Sequence, residues 1–245
     1  MKKIKELIDL KGRKALVTGG VGHIGHVCCE VIQELGGEVK ILDLPECDLR
    51  GEEATRNFVR QTVVAMNGLD IFIHSAAYVG TTKLAGWAAP FENQTVSAWD
   101  EAQRVNVTSA FVIVQEAKKV LEASGYGSVI LLDSIYGVVG PDMRLYEGTE
   151  MHNPVGGCVS KGALLQLMRY LATFLAPKVR VNAISPGGIW RNQPESFQER
   201  YVARTPLKRM GREEDVKGAI AYLASDLSRY VTGHNLLVDG GWTIW

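Results

Sequence analysis

Four glycines are concentrated between Thr18 and Gly25, directly after a short apolar run. Glycine lets the chain turn tightly and lets a ligand approach the backbone closely. A helix-patterned stretch follows, and the unpaired N–H groups and dipole at a helix start attract phosphate. A turn made only for packing is the alternative. The pattern predicts a pyrophosphate site at Gly19, Gly22, His23, Ile24 and Gly25.

A carboxylate follows this turn at the spacing that ribose recognition needs. Asp43 lies 18 residues after Gly25, at the end of the second apolar run. There its carboxylate can accept hydrogen bonds from both hydroxyls of a ribose, and it would repel a 2′-phosphate. Asp43 therefore favours NAD over NADP as the bound dinucleotide, with a strand-end cap as the structural alternative.

Strand and helix patterns alternate along the chain and would position these groups. Uninterrupted apolar strands are typical of a parallel sheet that is covered on both faces. We predict a single α/β domain over residues 1–245, a doubly wound Rossmann fold with a parallel sheet of six to seven strands and helices on both faces. The predicted strands are 15–17, 39–43, 70–74, 128–132, 179–184 and 235–238, and the predicted helices are 24–35, 52–66, 95–121, 160–175 and 213–224.

The composition excludes several classes of protein. Hydrophobic residues are 46% of the 245, enough for one large core. The 27 basic residues balance the 27 acidic ones, so the chain lacks the positive field that nucleic acid or an anionic membrane attracts, and a small-molecule partner is expected. We find no signal-peptide core or membrane-length apolar run. The four cysteines lack metal-ligand spacing, which predicts reduced thiols, a cytoplasmic setting and no metal.

Six motifs follow one another along the chain: Thr18 to Gly25, Asn106 in Arg-Val-Asn-Val, Ser134 in Asp-Ser-Ile-Tyr-Gly, Ser160-Lys161-Gly162, Ser185-Pro186-Gly187-Gly188, and Thr232-Gly233 leading to Val238-Asp239-Gly240-Gly241. In these motifs and their order the chain resembles the short-chain dehydrogenase/reductase family over nearly its whole length. Within the family, residues 74–80, 135–142 and 146–149 are most similar to members from bacterial surface-sugar pathways, including nonulosonate pathways. The resemblance implies an oxidoreductase that exchanges hydride between a nicotinamide and an alcohol or ketone, here a sugar derivative.

The resemblance also implies a site. Ser134 would polarise the substrate oxygen, Lys161 would hold the nicotinamide ribose, and Asn106 would hold a water in the proton path. Between Asp43 and Asp48 the chain is too short for the family's crossover helix, so its third strand is expected to be vestigial or missing. The remaining cofactor contacts that the resemblance implies are Asp48, Leu49, Ala76, Pro186, Gly187 and Ile189.

The family's catalytic tyrosine is absent from the expected position. Four residues before Lys161 stands Gly157, which offers no proton. Three explanations stay open. The chain is a variant from which the acid–base group has been removed, or it binds a dinucleotide without turnover, or another hydroxyl has taken over the role of the tyrosine. The candidates for that hydroxyl are Tyr136 and Tyr146. Loss of a positioned general acid typically lowers the rate about 10²–10⁴-fold.

Three loop-like segments, about 78–94, 138–154 and 188–206, are expected to select the substrate. Arg191 lies in the last of these segments. Its guanidinium would contact a cofactor phosphate or an anionic substrate; the alternative is a solvated loop arginine.

The resemblance implies a homodimer or homotetramer. Two rival functions stay open: a non-catalytic dinucleotide-binding protein or regulatory subunit, which Gly157 favours, and a sugar-nucleotide epimerase or dehydratase, which the glycine spacing favours and the short chain opposes.

Overall fold

The computed structural model describes every residue from Met1 to Trp245. Its six strands are β1 (Lys14–Thr18), β2 (Glu38–Leu42), β3 (Ile71–His74), β4 (Ser128–Leu132), β5 (Arg180–Pro186) and β6 (Asn235–Val238). All pair in parallel in one sheet, in the order β2-β1-β3-β4-β5-β6. Thr18 pairs with Leu42 on one side and with His74 on the other. The carboxyl ends of neighbouring strands therefore lie together at one edge.

Helices cover both faces of the sheet. Side chains alternate along β1, so Leu16 and Val17 enter different cores. Leu16 packs beneath the helices Glu52–Ala65, Ser109–Ala123 and Val155–Leu175, whereas Val17 packs beneath the helices His23–Glu34 and Lys217–Ala224. This arrangement confirms the doubly wound fold. No helix is both long enough and apolar enough to cross a bilayer. The helices are α1 (Ile4–Leu7), α2 (His23–Glu34), α3 (Glu52–Ala65), α4 (Val96–Gln103), α5 (Ser109–Ala123), α6 (Val155–Leu175), α7 (Glu195–Arg204) and α8 (Lys217–Ala224).

The sheet ends at β2, which pairs only with β1. After Leu42, residues 43–51 run directly into α3 with no further strand. The family's third strand is therefore missing, as the short spacing between Asp43 and Asp48 predicted. The edge of the sheet beside Asp48 and Leu49, two of the predicted cofactor contacts, is therefore formed by β2 and this short segment.

Several element boundaries differ from the sequence prediction. The expected helix 95–121 is divided by a π-helical turn at Arg104–Thr108, a feature that often marks functional sites. The helix expected from residue 160 begins at Val155, because its glycine-containing first turn packs against another segment. The short α1 was not predicted, and α7 lies within the segment 188–206 that was expected to be loop-like.

Candidate functional site

A cavity of about 890 Å³ opens at the carboxyl end of the sheet. Doubly wound sheets bind their ligands at this edge, beyond the strand ends. Of the site residues that the sequence predicted, only Asn106 does not line this cavity. The others are Gly19, Gly22, His23, Ile24, Gly25, Asp43, Asp48, Leu49, Ala76, Ser134, Tyr136, Tyr146, Gly157, Lys161, Pro186, Gly187 and Ile189.

The glycine turn between β1 and α2 can close only with glycine. Gly19 has a φ of +67°, and a Cβ there would lie 2.7 Å from the backbone of Ala76. A Cβ at Gly25 would collide with the carbonyl oxygen of Gly19. Gly22 is the N-cap of α2, and no side chain caps that end. The first-turn N–H groups therefore remain available to an anion, as a dinucleotide diphosphate requires.

Asp43 is held beside this turn at the end of β2. Its Oδ2 accepts the Val21 N–H at 3.1 Å, and its Oδ1 accepts the Leu44 N–H at 2.9 Å. A carboxylate has about four acceptor positions, so each oxygen can accept a further hydrogen bond. The side chain thus fits the two hydroxyls of a ribose placed next to the diphosphate.

An ion-pair network braces the short segment that follows Asp43. Asp48 pairs with Arg50 at 2.6 Å, and Arg50 also pairs with Glu101 at 3.0 Å. The Tyr78 hydroxyl donates to the same Glu101 at 3.2 Å. The hydrogen bond from Arg50 lowers the pKa of Asp48. Arg50 also lines the cavity, although the sequence analysis did not predict it as a site residue. Its partner Glu101 lies on α4, and only the fold brings the two residues together.

Ser134 and Lys161 both lie near the end of β4. The Ser134 Oγ accepts the Tyr136 N–H at 3.2 Å, and the Lys161 Nζ donates to the carbonyl of Leu132 at 2.7 Å. Burial lowers the pKa of Lys161, and the charge of Asp133 opposes this shift. Asp133 also lines the cavity. Asp133 is the first residue of the motif that contains Ser134, but it was not among the predicted site residues.

Gly157 lies in the first turn of α6 and faces the cavity. A Cβ there would lie 3.5 Å from Pro154 and from Trp87, which is ordinary contact. Trp87 is only 2% exposed, and its Nε1 donates to the Val79 carbonyl at 2.8 Å. At Gly156 a Cβ would lie 3.1 Å from the Trp87 ring. Close packing against Trp87 thus accounts for Gly156, whereas the site has room for a side chain at Gly157.

Two tyrosines are joined by hydrogen bonds in the cavity. The Tyr136 and Tyr146 hydroxyls lie 3.0 Å apart, and the Asn153 Nδ2 donates to the Tyr146 hydroxyl at 2.9 Å. The Cys158 thiol donates to the Asn153 Oδ1 at 2.9 Å. One of the two phenol protons joins the pair, so the other remains free for a ligand. Burial raises the pKa of both phenols, which makes them hydrogen-bond donors and not bases at neutral pH.

Asn106 lies behind the cavity in the π-helical turn and is 1% exposed. Its Nδ2 donates to the Ser160 Oγ and its Oδ1 accepts the Tyr78 N–H, both at 2.8 Å. Its carbonyl lies 3.1 Å from the His74 Nε2, and the His74 Nδ1 lies 2.9 Å from the Thr18 Oγ1. A carbonyl only accepts, so Nε2 carries the proton and Thr18 donates to Nδ1. Burial lowers the pKa of His74 to about 3, so the ring is neutral.

Arg191 is neither free nor fully solvated. Its Nε donates to Glu213 at 3.1 Å, and Glu213 also lies 4.0 Å from the ring of His23. Arg191 lines the cavity. Glu213 therefore holds the Arg191 guanidinium near the glycine turn and offsets part of its charge.

The six-stranded parallel sheet, the glycine turn and the carboxylate at the end of β2 define a nucleotide-binding protein of the Rossmann type. A family model described as enoyl-(acyl carrier protein) reductase matches residues 23–243. The chain belongs to the short-chain dehydrogenase/reductase family. It is 30% identical over 241 residues to post-translational flagellin modification protein A of Campylobacter coli, and the alignment covers 97% of this chain and 91% of that protein.

Solved structures of the family superpose closely on the chain. A short-chain dehydrogenase from Leptospira borgpetersenii with bound NAD⁺ is 30% identical, with a TM-score of 0.85 over 99% of this chain and 96% of that one. The NADPH-dependent 3-quinuclidinone reductase of Rhodotorula rubra is 25% identical, with a TM-score of 0.82 over 100% and 96%. Nicotinamide cofactors are thus shared across the family. These two neighbours use different forms, so the choice in this chain depends on its own residues.

Proposed function

We propose that this protein is an NAD-dependent oxidoreductase that exchanges hydride with the carbon of an alcohol or ketone, on a sugar-type substrate. The observation that carries the proposal is one cavity lined by the glycine turn, Asp43, Ser134 and Lys161. When bound, the nicotinamide would donate or accept the hydride. The chain's own residues would bind the dinucleotide, hold the substrate oxygen and transfer the proton.

Asp43 supports the choice of NAD. Its carboxylate accepts two backbone N–H groups and keeps capacity for a ribose diol. A 2′-phosphate would bring a second anion against this carboxylate, and like charges at close range are destabilising. The diphosphate would bind at the uncapped start of α2, with Arg191 available nearby.

The substrate oxygen would be held by Ser134 and by the free phenol proton of the Tyr136 and Tyr146 pair. Gly157 supplies no proton, so proton transfer is expected to be slower than in relatives that have the tyrosine. The missing phenol affects the rate more than binding, because the cavity keeps its other polar groups. Asn106 would act by supporting the site from behind, since its amide already bonds Tyr78 and Ser160.

A polyhydroxylated substrate suits the rest of the cavity. Its outer wall carries hydrogen-bonding side chains from two of the expected substrate segments, namely Glu150, His152, Asn153 and Gln193. The similarity to a Campylobacter coli protein named for flagellin modification also favours a surface-sugar pathway. We further propose a cytoplasmic setting, which the four free cysteines support.

A non-catalytic dinucleotide-binding protein is the second candidate function. Gly157 is the observation that favours it, because the acid–base group of the family is missing. Both candidates require dinucleotide binding, and only the first requires turnover. A panel of sugar alcohols and ketones, followed through NADH absorbance, separates them.

Calorimetric titration tests the cofactor part of the proposal. We expect NAD to bind more tightly than NADP, and Asp43→Asn to weaken NAD binding by about 10–100-fold, the effect of one hydrogen bond to a charged group. The matched control is Glu46→Gln, which removes a nearby carboxylate that pairs with Lys40 instead. Equal affinity for both dinucleotides, or unchanged NAD affinity in Asp43→Asn, would refute the role of Asp43.

A further inference from the structure

A buried carboxyl lies at the end of β4, directly before Ser134. Asp133 is 6% exposed, and its Oδ2 accepts the Ser185 hydroxyl at 3.0 Å. Its other oxygen, Oδ1, is buried without a hydrogen-bond partner. A Cβ at Gly137 would lie 2.9 Å from Oδ1, so only glycine leaves room above the carboxyl. This group lines the cavity, and the proposed function gives it no role.

Lys161 is half-buried, and its ammonium reaches the same end of β4. Its Nζ donates at 2.7 Å to the carbonyl of Leu132, the residue directly before Asp133. The two charges interact through space and not by a direct hydrogen bond. The other cation that acts on the carboxyl is Arg169, also on α6. From β5 the carboxyl meets the Ser185 hydroxyl, whose single proton is shared with the Asn235 Oδ1 at 2.8 Å.

The two groups influence each other because each is at least partly withdrawn from bulk water. An isolated buried charge is very costly, and a nearby opposite charge offsets part of that cost. Burial raises the pKa of Asp133 to about 6, and Lys161 is the strongest influence in the other direction. Burial lowers the pKa of Lys161, and Asp133 opposes that shift. Above about pH 6 the ionised carboxyl therefore favours the charged form of Lys161.

We propose that Lys161 is the acid of this site in place of the missing phenol, and that Asp133 is the positioning residue that keeps Lys161 protonated. The inference rests on the proposed function. In ketone reduction, the nicotinamide, when bound, would supply the hydride of the new C–H bond. The carbonyl oxygen then forms an O–H bond as one N–H bond of the ammonium breaks. Lysine is left as a neutral amine, which takes a proton back from solvent; alcohol oxidation reverses each step.

The direct test is to follow the Lys161 side chain by NMR in protein with isotopically labelled lysine, without any substrate. We expect Asp133→Asn to lower the pKa of Lys161 by about one unit or more, because it removes the neighbouring negative charge. The alkaline limb of kcat/KM for reduction should move to lower pH by the same amount. The control is Asp226→Asn, which removes a carboxylate that pairs with Lys2 at the surface. An unchanged Lys161 titration in folded Asp133→Asn would overturn the proposal.

The unmodified protein gives a second readout that does not depend on how Asp133→Asn folds. The Lys161 signal should show an inflection near pH 6, where Asp133 titrates. Ser185→Ala should move that inflection to higher pH, because it removes the hydroxyl that stabilises the ionised carboxyl. A Lys161 signal without this inflection would also overturn the proposal. Failure to find any turnover would count against the proposed function alone, since these titrations need no substrate.

Discussion

Gly157→Tyr returns a phenol to the position where the family carries one. A Cβ at this position makes only ordinary 3.5 Å contacts with Pro154 and Trp87, and the position faces the cavity. The variant should therefore fold. Replacing a helical glycine should also remove a cost of up to about 1 kcal/mol relative to alanine, and less in the first turn of α6.

The expected gain in turnover follows from the chemistry of proton transfer. A positioned general acid typically contributes about 10²–10⁴-fold, or about 2.7–5.4 kcal/mol of barrier. Lys161, one helical turn later, would then assist a phenol, so the gain should appear in kcat with little change in NAD affinity. The assay is NADH formation from a panel of sugar alcohols, with NAD binding measured by calorimetry.

Two alanine variants separate the phenol from changes in packing. Gly157→Ala should keep the turnover of the unmodified protein and match or slightly exceed its stability. Gly156→Ala should be less stable than Gly157→Ala, because its Cβ would lie 3.1 Å from the Trp87 ring. If Gly157→Tyr folds, binds NAD normally and turns over no faster than Gly157→Ala, the missing phenol does not limit catalysis.

Two further predictions concern stability and assembly. Because the pKa of His74 is about 3 in the fold and about 6.5 when unfolded, the unfolded chain binds the extra proton, and stability is lost as pH falls below about 6.5. Between pH 6.5 and 5 this linkage lowers the free energy of unfolding by about 1.6 kcal/mol, and His74→Asn should remove that loss. An effect no larger than that of the exposed His26→Asn would contradict the prediction. On α6, Tyr170 and Phe174 stack 5.9 Å apart while 61% and 57% exposed, which supports the proposed dimer or tetramer. Phe174→Glu should shift sedimentation toward the monomer whereas the exposed Tyr230→Glu should not, and an already monomeric unmodified protein would refute the assembly.

The buried strands, and the part of the site that is formed by elements adjacent in the chain, could be predicted from the sequence. The strands β3 and β4 are wholly buried, so their apolar runs were unambiguous. The glycine turn and Asp43 come together because β1 and β2 pair directly, with Thr18 opposite Leu42. The absence of the family's third strand also followed, from the number of residues available.

Features that depend on contacts between distant segments could not be predicted. Asp133 meets Ser185 from 52 residues away, and His74 meets the carbonyl of Asn106 from 32 residues away. No local spacing marks such pairs. A charged residue at the end of an otherwise apolar strand was the available signal for Asp133. The early start of α6 was missed because the glycines were judged by helix propensity, and the close contact of Trp87 with Gly156 was not visible in the sequence.

The truncated edge of the sheet bears on the protein's behaviour at high concentration. β2 has one open side, and open strand edges invite pairing with a second chain. The strand is only five residues long and carries Glu38 and Lys40. The Lys40 ammonium pairs with Glu46 at 3.3 Å and lies 5.4 Å from the centre of the Phe58 ring. Shortness and charge together protect this border against aggregation, so neutralising Lys40 would make the protein more prone to fibrous association.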